Sequence, residues 1–246
     1  MKKSVFICPF DIERLTGTPI RAKATLSSVG NFCQTEMISA TNLNALESTS
    51  HTLKKLRELK PDVMHGFTSL AVLPMIIYKW FINPRVKVVL EMHGWSWFET
   101  EGQLNIFKRV ILFLLDILGY IFSDAVIIMS HTQKNFIEKI LYSRKNTYVI
   151  WGPVDFPIVF EEVAARNTVL IGYQGNSSWW QGLSLLIEAA KMLEGKPNIQ
   201  LQLAGFDSSD KSKFPETANI HYVGRFERKD VSRLIKNCDA MISPRV

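Results

Sequence analysis

Apolar positions along this chain follow two rhythms that take turns. Short, largely apolar runs at Ser4–Phe10, Thr35–Ala40, Asp62–Phe67, Val86–Met92, Ala125–Ser130 and Thr147–Trp151 read as strands. Between them, three- and four-residue spacing predicts helices over Arg21–Val29, Leu46–Leu59 (closed by Pro61), Leu70–Phe81, Leu104–Phe122 and Thr132–Leu141. Gly152-Pro153 and Pro157 interrupt the series. A second one follows, with strands at Thr168–Tyr173, Gln200–Ala204, Ile220–Val223 and Ala240–Ser243 and helices at Leu183–Leu193 and Lys229–Asn237. Strands buried on both faces and separated by helices imply parallel sheets. The expected fold is therefore α/β, with two doubly wound, Rossmann-like domains: residues 1–155, a linker at 156–167, and residues 168–246, the last an incomplete domain.

The 47% hydrophobic and 21% charged residues fit a globular chain with a sizeable core. Cys8, Cys33 and Cys238 are far apart and odd in number. With no CxxC pair, a zinc site or disulfide framework is not expected. Charge is uneven: residues 1–160 carry 18 Lys/Arg against 13 Asp/Glu, while residues 161–246 carry 11 against 10. The basic first part is the expectation for peripheral contact with an anionic lipid surface, against the plainer reading of an ordinary basic surface. The apolar start ends at Pro9 and Asp11, too soon for a signal peptide. Val110–Phe122 is shorter than a membrane span and contains Asp116, so it reads as a buried helix, with a helix that dips into a membrane interface as the second reading.

In doubly wound sheets, ligands bind beyond the carboxyl ends of the strands. Gly175, Gly205 and Gly224 close three strands of the second domain, where glycine permits sharp turns and close backbone approach to a ligand. In the first domain, His93 ends a strand and precedes Gly94 and the Trp95/Trp97 pair, whose faces suit sugar contact. His65 also ends a strand, as a weaker candidate. Glu91, by strand alternation, is set aside.

The ordered strings carry a resemblance. IGYQGNSSWWQGLSLLIEAAKML (Ile171–Leu193), NIQLQLAG (Asn198–Gly205) and NIHYVGRFERKDVSRLIKNCDAMISP (Asn219–Pro244) resemble blocks of retaining glycosyltransferases of family 4, which have the GT-B fold. LTGTPIRA (Leu15–Ala22), LEMHGWSW (Leu90–Trp97), SDAVIIMS (Ser123–Ser130) and VIWGPVDF (Val149–Phe156) resemble the same family in the first domain. The resemblance implies sugar transfer from a nucleotide-sugar donor to a glycan or lipid-linked acceptor, with retention and without a metal or other cofactor. The unpaired cysteines set a reducing, cytoplasmic location as the expectation, with peripheral contact at the inner face of the membrane suggested by the basic first part, and no nucleic-acid partner is expected.

His93 would then be the catalytic residue, near the transferred sugar. Gly17, Thr18, Arg21, Gly175, Asn176, Gln181, Gly182, Gly205, Gly224, Arg225 and Phe226 would hold the donor, and Trp95 and Trp97 the acceptor. The sequence departs from the family at its cations. Asn176 or Ser177 stands where the family commonly has Arg, and Gln181 where it has Lys. Trp180-Gln181-Gly182 is similar to a Trp-His-Gly variant, and the plain reading of Trp179 and Trp180 is packing of the loop. The family's Glu-x7-Glu pair would follow Val246, so a form truncated there is expected to have poor stability and little or no transfer activity. That inactive remnant or non-catalytic binder is the alternative reading; a nucleotide-sugar epimerase of the same fold is another.

Overall fold

The computed structural model describes residues 2–13, 17–39, 43–141, 146–152, 167–175, 178, 181–206, 217–225 and 228–244. The chain forms two compact units, Met1–Val154 and Asp155–Val246.

In the first unit, β1 (Lys3–Cys8), α1 (Gly17–Gly30), β2 (Gln34–Ser39), α2 (Ala45–Leu59) and β3 (Val63–Phe67) lead into a single 3-10 turn, Ser69–Ala71. Then come α3 (Val72–Phe81), β4 (Lys87–Met92), α4 (Ser96–Glu99), α5 (Ile106–Phe122), β5 (Ala125–Ile128), α6 (His131–Leu141) and β6 (Thr147–Val149). All six strands are parallel, in the order β2-β1-β3-β4-β5-β6. The order reverses between β1 and β3, which is the switch point where doubly wound sheets open a ligand crevice.

Local sequence explains the element ends. The Asn44 side chain accepts from the N–H groups of Leu46 and Glu47, while Glu47 Oε2 accepts from the Asn44 N–H, a reciprocal capping box that starts α2. Helix α2 ends at Lys60 in the left-handed region, just before Pro61. Asn105 caps α5, which therefore starts at Ile106 rather than at Leu104. The short helix Ser96–Glu99 and the 3-10 turn are too brief to show periodicity in sequence. Helix α1 starts earlier than its apolar spacing suggests, so Gly17 and Thr18 form its first turn instead of a preceding loop.

The larger core lies on one face of the sheet, where Val5, Ile7, Met64, Val88 and Leu90 meet α2, α3 and α5. On the other face, Phe6, Cys8 and Phe67 pack beneath Ala22 of α1. Burial of each large apolar side chain contributes roughly 1.5–3 kcal/mol.

Helix α5 corrects one expectation. It is not a buried helix: only Asp116, Gly119 and Tyr120 are fully buried, and Phe107, Ile111, Leu114, Leu118 and Ile121 are exposed. A periodicity reading fails here because α5 is apolar on both faces, a pattern that in a soluble helix signals complete burial.

Asp116 lies on the buried face, where its carboxylate accepts from the Ser96 N–H at 2.9 Å. The hydroxyls of Ser69 and Ser96 are 2.7 Å apart beside it. Burial, aided by the negative charge of Glu99, raises its pKa from 3.8 to about 6, against the opposing hydrogen bonds from Ser96 and Ser69. A carboxyl raised in this way favours the folded state when protonated. Its contribution is full below the unfolded pKa and is lost as pH rises through about 6. Asp116→Asn is neutral at every pH. It is expected to stabilise the protein by about 2–3 kcal/mol at pH 8 but by less than about 1 kcal/mol near pH 4, as urea denaturation at both pH values would show.

The second unit holds β7 (Val169–Gln174), α7 (Leu183–Met192), β8 (Ile199–Ala204), β9 (Ile220–Gly224), α8 (Arg228–Asn237) and β10 (Ala240–Met241). Its strands are parallel in the order β10-β7-β8-β9. Tyr173, Leu183, Leu186, Ile187, Leu201 and Leu203 form its main core. The expected linker falls mostly outside the described residues.

Candidate functional site

At the switch point of the first unit, Phe6 of β1, His65 and Phe67 of β3 and the His93 ring form a continuous aromatic row. Neighbouring centroids lie 4.9 Å, 4.9 Å and 6.2 Å apart. The parallel register sets Phe6 beside His65, and Phe67 beside Glu91. His65, Phe67 and Glu91 thus emerge on the α1 side of the sheet, near its carboxyl edge.

Glu91 is the hub. Its side chain is fully buried, yet it holds three groups. Arg21 Nε of α1 donates to Oε1, His93 Nε2 lies 2.8 Å from Oε1, and His65 Nε2 lies 3.1 Å from Oε2. Burial acts to raise the carboxyl pKa. The hydrogen bonds from His65 and His93, with the charges of His65 and Arg21, overcome it and hold Glu91 well below the usual carboxylate range.

An ionised carboxylate only accepts, so both imidazole Nε2 atoms donate to it. In neutral His93 that leaves Nδ1 as an acceptor. Nδ1 lies 3.0 Å from Thr18 Oγ1, whose hydroxyl then donates to it. Carboxylate, imidazole and hydroxyl follow in the order that lets an imidazole take a proton from a hydroxyl. His93 is partly exposed, so a ligand hydroxyl can compete with Thr18 for Nδ1.

Two expected binding residues are corrected here. The Arg21 guanidinium is buried and committed: Nη1 donates to the Trp151 carbonyl at 2.8 Å, Nη2 to the Ile150 carbonyl at 3.0 Å, and Nε to Glu91. It ties the start of α1 to the ends of β4 and β6, and its charge is balanced within the domain. Trp95 is buried between Phe113 and Phe136, which leaves no face for an acceptor. Trp97 is only partly buried, and its ring stacks under the Arg109 guanidinium at 4.5 Å.

Glu91 itself was missed. It shares parity with His93, two residues on, and that was the available signal. Thr68 was also missed. It ends β3 with φ 65° and ψ 170°, a region nearly reserved for glycine, and its buried hydroxyl has no partner among the described residues. Such strain in a β-branched residue marks a place held by its surroundings, here by the Thr68 N–H donating to the Glu91 carbonyl at 2.9 Å.

In the second unit the three rim glycines are brought together. Gly175 N–H donates to the Ala204 carbonyl at 3.1 Å, and Gly205 N–H to the Gly224 carbonyl at 2.9 Å. Gly205 has φ +101°, and a Cβ there would lie 2.1 Å from the Gly175 oxygen. This rim therefore needs glycine for its own backbone packing, and these two N–H groups are spent on the neighbouring strands. Gly224 has φ +84° and open space around its Cα. Arg225 beside it is exposed.

Gly182, at φ +68°, starts α7 and offers no side-chain cap, so the helix N-terminus keeps its positive dipole end uncapped by a side chain. Gln181 just before it is buried. Asn176 and Phe226, expected at the donor site, and Trp179 and Trp180 lie outside the described residues.

Residues 35–156 match the profile of Glycosyltransferase Family 4. No curated protein matches the sequence. Among solved structures, sucrose-phosphate synthase from Thermosynechococcus elongatus is similar, with TM-score 0.78 at 11% identity, covering 100% of this chain and 76% of that one. The catalytic domain of starch synthase IV from Arabidopsis thaliana, bound to ADP and acarbose, gives 0.68 at 10% identity, covering 100% and 78%. The UDP-GlcNAc 2-epimerase from Methanocaldococcus jannaschii gives 0.58 at 12% identity, covering 98% and 78%. At these identities the likeness is one of fold, that of GT-B glycosyltransferases.

Proposed function

From the match of residues 35–156 to the profile of Glycosyltransferase Family 4, we propose that the chain is a glycosyltransferase moving a sugar from a nucleotide-sugar to a glycan or lipid-linked acceptor, with retention and without a metal. The observation that carries this reading is the Thr18–His93–Glu91 chain at the β1/β3 switch point. In the transfer, the bond from the anomeric carbon to the diphosphate oxygen breaks, a bond to the acceptor oxygen forms, and the acceptor hydroxyl's proton passes to the departing diphosphate oxygen. His93 Nδ1, set as an acceptor by Glu91 on the opposite nitrogen, binds a hydroxyl of the transferred sugar or acceptor in place of Thr18.

The second unit by itself offers groups that suit a phosphate-bearing ligand: the N-terminus of α7 after Gly182, Gln181 as a neutral donor, and Arg225. Trp97 flanks the acceptor. Proteins similar in fold hold nucleoside diphosphates: the starch synthase is bound to ADP, and MnaA from S. aureus to UDP. His93→Ala is expected to lower kcat/KM for transfer by about 10²-fold or more while leaving nucleotide diphosphate affinity unchanged. A variant with undiminished turnover on a nucleotide-sugar panel removes His93 from the reaction.

One observation favours the second reading, a nucleotide-sugar binder that does not turn over. The Arg21 charge is committed to Glu91, and Gln181 brings none. Tight binding of nucleotide diphosphate with no product from any donor would select it.

A further inference from the structure

One side of α5 holds the loop that follows His93. Arg109, Phe113 and Asp116 recur at intervals of four and three, so they share a side of the helix. All three grip that loop. Asp116 accepts from the Ser96 N–H at 2.9 Å. The Arg109 guanidinium donates twice to the Trp97 carbonyl, from Nη2 at 2.9 Å and from Nε at 3.2 Å. Its central carbon lies 4.5 Å from the centroid of the Trp97 ring. Phe113 meets both indoles, with centroids 5.6 Å from Trp95 and 5.8 Å from Trp97. The loop is tight as well: a side chain at Gly94 would run into the Glu99 carboxylate.

Arg109 is mostly buried, yet its ion pair with Glu101 is long, at 4.0 Å, and Glu101 is half exposed. Such a pair contributes little. The guanidinium is committed instead to one residue, holding the Trp97 backbone with its fork and the Trp97 ring with its face. The two tryptophans of the loop serve different ends. Trp95 fills the core, and its indole N–H is buried without a partner. Trp97 is only partly buried, and its indole N–H has no hydrogen-bond partner among the described residues. A fixed aromatic ring with a spare N–H donor suits a pyranose, whose C–H groups lie against the ring while a hydroxyl accepts from the N–H.

We propose that Arg109 is a positioning residue that fixes Trp97 as a platform for a sugar ring of the acceptor, so that the acceptor this chain takes ends in a sugar. The proposal rests on the sugar-transfer reading and narrows its acceptor, whether a free glycan or a lipid-linked one, to a molecule with a terminal sugar. Trp97 stands four residues beyond His93 on the same short loop, so a ring held against it lies near the imidazole that binds a hydroxyl. Arg109 touches no ligand in this scheme. It acts through Trp97, by sparing that side chain the cost of being ordered when the acceptor arrives.

Steady-state kinetics with a panel of nucleotide-sugars tests it, using aryl glycosides as sugar-ended acceptors and a polyprenyl phosphate as one that carries no sugar. The wild type is expected to glycosylate a glycoside and not the phosphate. Arg109→Ala is expected to raise the acceptor KM about threefold to tenfold, with kcat and nucleoside diphosphate affinity unchanged. Trp97→Ala should raise it at least as far. Because Arg109 acts through Trp97, adding Arg109→Ala to Trp97→Ala should raise KM no further, whereas a merely structural role would add its loss in both backgrounds. If Arg109→Ala does not fold, Arg109→Lys, which keeps the charge but not the two-pronged hold on the Trp97 carbonyl, must still raise the acceptor KM. An unchanged acceptor KM, a full second loss in the double variant, or transfer to the phosphate as fast as to the glycoside overturns the proposal and leaves sugar transfer standing. No product from the wild type with any donor and acceptor removes the sugar-transfer reading itself, and the proposal with it.

Discussion

Glu91→Ala is expected to destabilise the first unit by about 3–5 kcal/mol, because it leaves a buried cation without its partner. Arg21 would keep only the carbonyls of Ile150 and Trp151, and the Nε2 atoms of His65 and His93 would lose their shared acceptor. Glu91→Gln keeps the shape but not the charge, so it should destabilise less than alanine while still leaving Arg21 uncompensated.

The pH dependence follows from the direction of the shift. Glu91 is held below its ordinary pKa when folded, so its stabilisation is present above the unfolded value of 4.5 and is lost as pH falls below it. Both variants should show a shallower loss of stability in acid than the wild type. Urea denaturation followed by tryptophan fluorescence across that range checks both points. A midpoint unchanged in Glu91→Ala would mean that the hub does not hold the unit together.

Gly205→Ala is expected to be nearly as damaging to the second unit, at roughly 3 kcal/mol. A φ of +101° is costly for any side chain, and the added methyl would meet the Gly175 carbonyl oxygen at 2.1 Å. That oxygen belongs to the backbone of the neighbouring strand's end, so a rotamer change cannot relieve the clash. The rim would have to part between β7 and β8, which should also weaken nucleotide diphosphate binding. Gly195→Ala is the matched control, because Gly195 has φ +93° but nothing within 4 Å of its would-be Cβ. It isolates the backbone cost, and calorimetric unfolding of the two variants separates that cost from the clash. Equal losses would show that the close approach to Gly175 contributes nothing.

The order of strands and helices was legible because each element carries its own period and its own punctuation. The Asn44 capping box and Lys60-Pro61 bracket α2, and parallel strands buried on both faces read as apolar runs. Charge pairing across the sheet was not legible. Arg21 and Glu91 lie seventy residues apart, and nothing local says that a lone Arg on α1 will be buried against a carboxylate on β4.

Trp95 and Trp97 show a related limit. Adjacent in pattern, they differ in fate because Trp95 turns into the packing of Phe113 and Phe136, while Trp97 stays near the surface under Arg109. For α5, the periodicity correctly marked a helix but not its surroundings, since an apolar face looks the same in sequence whether it meets the core or the solvent. His93 and the glycines could be placed at strand ends from the sequence, because each follows a short apolar run directly.

The sugar-transfer reading rests most directly on what becomes of the donor. The protein would be incubated with a panel of nucleotide-sugars and glycan or lipid-linked acceptors, and the products resolved by mass spectrometry and by NMR of the anomeric centre. The account predicts a new glycoside that retains the donor's anomeric configuration, formed one for one with released nucleoside diphosphate and reduced by His93→Ala. An epimerised nucleotide-sugar with no glycoside, or bound donor returned intact from every pairing, would contradict it.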